Sequence, residues 1–173
     1  NYIRIFTSDL VFSKNILPNT ILYAAIVGPG GYILSFIMAW LLSQLTKLPR
    51  TVMATLLYSP SMTAGVTVTT VWRALFSGDS AGYLNYILLQ FGIIQEPVTW
   101  LQSETFLLPI MIVVALWSSM GIGFLSMLSG ISNVNQELYE AAYLDGVHNR
   151  FQEVIYVTIP SIRPQMLFGA VMA

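Results

Sequence analysis

Apolar and polar positions are segregated along this chain into long blocks. No Asp, Glu, Lys or Arg occurs from Asn15 to Thr46, from Thr51 to Trp72, or from Thr105 to Gln136. Each run exceeds the ~20 residues that an α-helix needs to cross ~30 Å of hydrocarbon at 1.5 Å per residue. A core helix of this length in a soluble protein would carry a polar stripe. The pattern predicts an all-α, multi-span membrane protein with spans over 20–45, 51–76 and 106–130, and a further span beginning at 165–173. Pro18-Asn19-Thr20 reads as a helix start, with Asn19 or Thr20 as N-cap. Gly28-Pro29-Gly30-Gly31 falls in the middle of the first span. Pro29 removes one backbone donor there and predicts a kink, and the small residues allow close approach of a neighbouring helix.

The segments between the spans differ in kind. Residues 1–18 mix aromatics with Arg4, Asp9 and Lys14 and read as an interfacial segment. Lys47-Leu-Pro-Arg50 reads as a tight basic turn. Trp72 reads as an interface anchor, with Arg73 snorkelling to headgroups. Residues 77–105 form a mixed loop with a short interfacial helix over Tyr83–Phe91. The stretch 131–163 is a polar island holding four of the eight acidic residues: Glu137, Glu140, Asp145 and Glu153. Asn133 or Asn135 can cap a helix from Gln136. Leu138, Ala141, Ala142 and Asp145 share one of its faces, and Gly146 suits the left-handed position that ends a helix. A second helix is expected over 149–157, closed by Pro160 and Pro164. Periodicity leaves two readings open: an amphipathic loop resting on the bilayer, or a docking surface in which Ala141 and Ala142 let a partner approach the backbone and Glu140 offers it a charge.

Composition narrows the function. Charged residues make up 9% of the chain, against about 25% in soluble domains, and mean hydropathy is +0.70. A net charge of −1 gives no basis for nucleic-acid binding. The absence of cysteine excludes disulfides and thiolate metal sites, and the single histidine, His148, cannot build a metal site alone. The three long runs hold no acid, base or metal ligand for a membrane-embedded enzyme, and no intramembrane charge for an ion-coupled carrier or channel; only the Gly28–Gly31 break hints at an ion site. Lys47, Arg50, Arg150 and Arg163 lie on one side of the expected topology, and Arg4, Lys14 and Arg73 on the other. This bias favours the polar island facing the cytoplasm. The chain starts without Met and stops within an apolar run, as expected of a piece of a longer protein.

Glu140-Ala141-Ala142, followed after three residues by Gly146, resembles the EAA signature of permease subunits of binding-protein-dependent ABC importers. Glu137-Leu138-Tyr139 is similar to the residues that precede that signature. Asp145-Gly146 matches its Asp-Gly pair, and Val157-Thr158-Ile159-Pro160 resembles its Ile-Thr-Leu-Pro ending. Thirteen residues separate Gly146 from Pro160 where the common pattern has twelve. One additional residue implies a rotation of the second helix by about 100° relative to the first. Asn19-Thr20, Pro60, Trp72–Phe76, Gly82-Tyr-Leu-Asn85, Trp100-Leu101 and Trp117 resemble landmarks of the sugar-importer branch, of the maltose and glycerol-phosphate type of first permease.

The resemblance implies a helical domain of a multi-pass inner-membrane permease in a bacterial or archaeal cell. It implies a second permease subunit, two ATPase subunits and an extracytoplasmic solute-binding protein as partners. Glu140, Ala141, Ala142, Asp145, Gly146 and Pro160 would form the cytoplasmic coupling element that docks on the ATPase. ATP and Mg would bind that partner, leaving this chain without a catalytic residue, metal or cofactor. For a sugar path, small and hydroxyl residues with aromatics are expected at mid-membrane. Ser61, Gly65, Trp117, Ser118 and Ser119 fit, although Ser and Gly in membrane helices also serve simple packing. A permease of the same superfamily for a non-sugar solute is the remaining alternative.

Overall fold

A computed structural model describes residues 11–63 and 65–172. The first ten residues of the expected interfacial segment, with Arg4 and Asp9, lie outside them. The described residues are helical throughout their regular structure: α1 (Leu17–Ser43), α2 (Lys47–Met62), α3 (Gly65–Leu75), α4 (Tyr83–Gln90), α5 (Glu104–Ser118), α6 (Ile122–Ser132), α7 (Gln136–Leu144), α8 (Arg150–Glu153), α9 (Ile159–Ser161) and α10 (Arg163–Met172). A π-turn, Phe12–Ile16, leads into α1, and a second, Val154–Thr158, joins α8 to α9. Among the described residues, Phe12–Ser43 alone is one helix long and apolar enough to cross a membrane; up to three cross if each bent pair counts as one span. Pro29 lies inside α1, whose helical backbone runs on through it.

The chain divides into two compact units, one of Asn1–Gly30 with Thr63–Trp117, the other of Gly31–Met62 with Ser118–Ala173. In the first, Trp72 stacks on Phe76 (5.7 Å between ring centroids) and meets Trp117 edge-on at 5.3 Å. Its loop is organised by Asn85, which is wholly buried. Asn85 Nδ2 donates to the carbonyls of Ser77, Asp79 and Val98 at 3.1–3.2 Å. Asn85 Oδ1 accepts from Val98 N–H (3.2 Å) and Trp100 Nε1–H (2.8 Å). The side chain thus pairs backbone groups that an irregular loop would leave unpaired.

The second unit holds the apolar core: Ala39, Leu42, Phe124, Met127, Leu128, Ile131 and Ile162 are all buried. Gly31, Ser35 and Ala39 recur every four residues on the buried face of α1. Ile33, Ile37 and Leu41 recur at the same spacing on its exposed face. In hydrocarbon, apolar burial brings no gain from leaving water, so small residues that admit close packing hold such helices together. α6 and α10 show this most directly. A Cβ on Gly123 would stand 3.1 Å from Gly169 Cα, and one on Gly169 would stand 2.6 Å from Met127 Cε. Tyr32 Oη donates to the Met166 carbonyl at 3.2 Å, joining α1 to α10.

The basic stretch expected to be a turn is instead the first turn of α2, and the connection from α1 lies at 44–46. Pro49 is tolerated there because the first N–H groups of a helix have no intrahelical partner to lose.

Candidate coupling site

The polar island folds into α7 and a second short helical segment, each fixed by local caps. Asn135 Oδ1 accepts the Glu137 N–H at 3.1 Å, and Asn135 Nδ2 donates to Glu137 Oε2 at 3.1 Å. This pairs one of the free donors at the start of α7. At the other end, Val147 N–H bonds to the Ala142 carbonyl (2.9 Å) and Gly146 N–H to the Tyr143 carbonyl (3.2 Å). This pair of bonds is the Schellman closure, with Asp145 as C-cap and Gly146 at φ +93°. Glycine supplies that backbone conformation without the cost a Cβ would bring.

Glu140, Ala141, Asp145 and Gly146 are exposed, and Ala142 is half-buried. The four residues expected to share a face, Leu138, Ala141, Ala142 and Asp145, thus lie on a largely open surface. The inner side of α7 is held by Tyr139, whose hydroxyl lies 3.0 Å from Thr158 Oγ1. His148 packs edge-on against the Tyr143 ring at 4.7 Å.

Asn149 caps the second segment by accepting the Phe151 N–H at 3.1 Å. Arg150 pairs with Glu153 at 2.9 Å; Arg150 is largely exposed, so the pair adds little stability. From Val154 the chain widens into the π-turn, where Ile159 N–H reaches back five residues to the Val154 carbonyl. Pro160 comes next, exposed, in the first turn of α9. The helical stretch Arg150–Ser161 then meets Arg163–Met172 at a bend of 80°.

Arg50 braces this end of the second unit, a role its place in a basic stretch did not announce. One guanidinium nitrogen donates to the carbonyls of Ser43 (2.7 Å) and Leu45 (2.8 Å), and the other to Ser132 Oγ (3.1 Å). A cation at the C-terminal carbonyls of α1 also complements the helix dipole. The bonds bring 43–50 and the end of α6 to the same end as the polar island. A cavity of about 360 Å³ lies there, lined by Trp40, Arg50, Ser132, Tyr139, Glu153 and Thr158 among others.

The expected path residues fall in both units. Trp117 and Gly65 belong to the first unit, where Trp117 is edge-on to Trp72 and a Cβ on Gly65 would meet no atom of the described residues within 4 Å beyond its chain neighbours and its own helix backbone. Ser61, Ser118 and Ser119 belong to the second. Ser61 Oγ donates to the Tyr58 carbonyl at 2.8 Å, and Ser61 Cβ faces Gly121. Ser119 stands against Gly31, where an added Cβ would lie 2.8 Å from Ser119 Oγ.

Residues 31–173 match the family described as binding-protein-dependent transport system inner membrane component. The arabinooligosaccharides transport system permease protein AraP of Bacillus subtilis is 32% identical over 126 residues, covering 73% of this chain and 39% of that protein. The lactose transport system permease protein LacF of Rhizobium radiobacter is 28% identical over 172 residues, covering 99% of this chain and 56% of that protein. This chain thus spans between two fifths and three fifths of the length of these relatives. The crystal structure of a bacterial ABC transporter involved in the import of the acidic polysaccharide alginate contains a chain of the same fold, with TM-score 0.83 and 24% identity over 99% of this chain and 58% of that one. An all-α fold shared with an ABC importer, and a family match over most of its length, lead to one assignment: this chain belongs to the inner membrane components of binding-protein-dependent transport systems.

Proposed function

We propose that this chain is part of a permease subunit of an ATP-driven importer for a sugar or oligosaccharide. It forms half of the translocation path and takes up the movement of the ATPase through the loop 136–160. The observation that carries the reading is α7. It is an exposed helix with Glu140 and Ala141 on its open surface, closed by the Gly146 turn and tied to the rest of its unit through Tyr139 and Thr158.

The importer would contain a second permease subunit and two ATPase subunits, which bind ATP and Mg, with a solute-binding protein delivering substrate from outside. Support for that last partner comes from the alginate importer, solved in complex with alginate pentasaccharide-bound periplasmic protein. Support for the sugar class comes from the relatives named for arabinooligosaccharides and lactose. The maltose and glycerol-phosphate type is one branch of this proposal.

Reversing Glu140 to Lys tests it. In the reconstituted transporter, with the solute identified by a binding screen on its solute-binding protein, Glu140→Lys should lower uptake per ATP hydrolysed by about tenfold, the scale of losing a charge-assisted contact. Membrane insertion should be unchanged. Coupled uptake at the parent level would remove α7 from the coupling role.

A further inference from the structure

We infer that Thr158 is the positioning residue of α7, and that the π-turn before it sets the register in which its hydroxyl meets Tyr139. Thr158 is only 1% exposed. Its Oγ1 lies 3.0 Å from Tyr139 Oη and donates to the Glu153 carbonyl at 3.4 Å. The two bonds are mutually consistent when Tyr139 donates to Thr158 and Thr158 donates onward. In an α-helix a threonine hydroxyl bonds back three or four residues. Here it bonds back five, which matches the wider turn of Val154–Thr158.

The exposure pattern shows which residues the wider turn carries outward. Val157 and Thr158 face inward and are buried, whereas Ile155 and Tyr156 bulge outward, Tyr156 being 67% exposed. Were Val154–Thr158 an ordinary α-turn of the same residues, Thr158 would stand about 100° further round and away from Tyr139. The π-turn takes in one residue more than an α-turn without advancing the phase of the helix beyond it, and so keeps Thr158 toward Tyr139. The position of Pro160 suits this, since it lacks the N–H that would otherwise draw the turn tight.

The role given to α7 rests on the coupling function proposed above, but the register of Thr158 does not, and the two are tested separately. Register is read in membrane vesicles from the full chain carrying Tyr139→Cys and Thr158→Cys, bridged by a short bifunctional thiol reagent, with Leu138→Cys and Thr158→Cys as the control pair. Deleting Tyr156 should leave the 139–158 adduct within about twofold of the parent, because an ordinary α-turn then restores the same phase. A larger loss, or transfer of the adduct to position 138, would overturn the register assignment. A deleted chain too disordered to cross-link counts against it equally, since the proposal makes that residue dispensable. Positioning is read by co-purification of the ATPase subunits with the permease. Thr158→Val should reduce it about fivefold, the scale of one lost hydrogen bond, and Thr158→Ser should restore it. Equal loss in both variants, or no loss in either, would overturn the positioning role. If the parent itself recovers no ATPase subunit, the coupling function fails while the cross-link still reports the register.

Discussion

Gly146 is the residue at which chain geometry and proposed docking meet. Its φ of +93° closes α7, and any side chain there is strained. Gly146→Val should cost about 1–2 kcal/mol locally, opening the turn and weakening ATPase co-purification while membrane insertion persists; a pull-down from detergent extracts checks this. Asn85 gives a second prediction. Asn85→Ala leaves Trp100 Nε1 and Val98 N–H, both part-buried, without their acceptor, at about 1 kcal/mol for each lost bond. The loop between α3 and α5 should become sensitive to limited proteolysis, with α1 and α6 still protected. The cap at Asn135 and the stop at Gly146 were legible in the sequence because both act on backbone groups within four residues. Asn85 and Arg50 were not. Asn85 appeared only as one of several landmarks, and Trp100 as another, and nothing local shows that the two side chains bond. Arg50 reaches Ser132, 82 residues away.

At the scale of elements, the charge-free runs are plain in the sequence, and their length predicts spans because hydrocarbon thickness sets a length that charges cannot interrupt. Their internal breaks are not. The second run is two helices, α2 and α3, and the third is divided at 119–121 between α5 and α6. Backbone groups freed at such breaks can be satisfied by neighbouring helices, so composition alone carries no trace of them. Packing is more readable: Gly31, Ser35 and Ala39 mark the buried face of α1 by size, though hydrophobicity is nearly uniform around the helix. The Gly123–Gly169 approach is the tightest consequence of this logic. Gly123→Leu should force α6 from α10 and destabilise the second unit by at least about 1–3 kcal/mol, the usual cost of overpacking. A fall in thermal stability of the detergent-solubilised transporter is the expected outcome, whereas Gly65→Ala, in open space, should leave it unchanged.

For the molecule as a whole, the fold class was legible and shared with an ABC importer, and the expected path residues are put to the test by uptake. Ser119 stands against Gly31, so enlarging it reports packing as much as passage. Ser118→Leu is the cleaner probe and should lower solute uptake several-fold with assembly retained; parent-level uptake would remove Ser118 from the path. The central claim concerns α7, and cross-linking addresses it most directly. The 173 residues include no cysteine, so Ala141→Cys and, as control, Phe91→Cys can be placed on exposed positions of α7 and of the loop between α3 and α5. In the assembled transporter, Ala141→Cys should form an adduct with the ATPase subunit through a short bifunctional reagent, and Phe91→Cys should form none. If Ala141→Cys yields no ATPase adduct and is instead modified by a membrane-impermeant thiol reagent applied from outside the cell, α7 does not couple this chain to an ATPase.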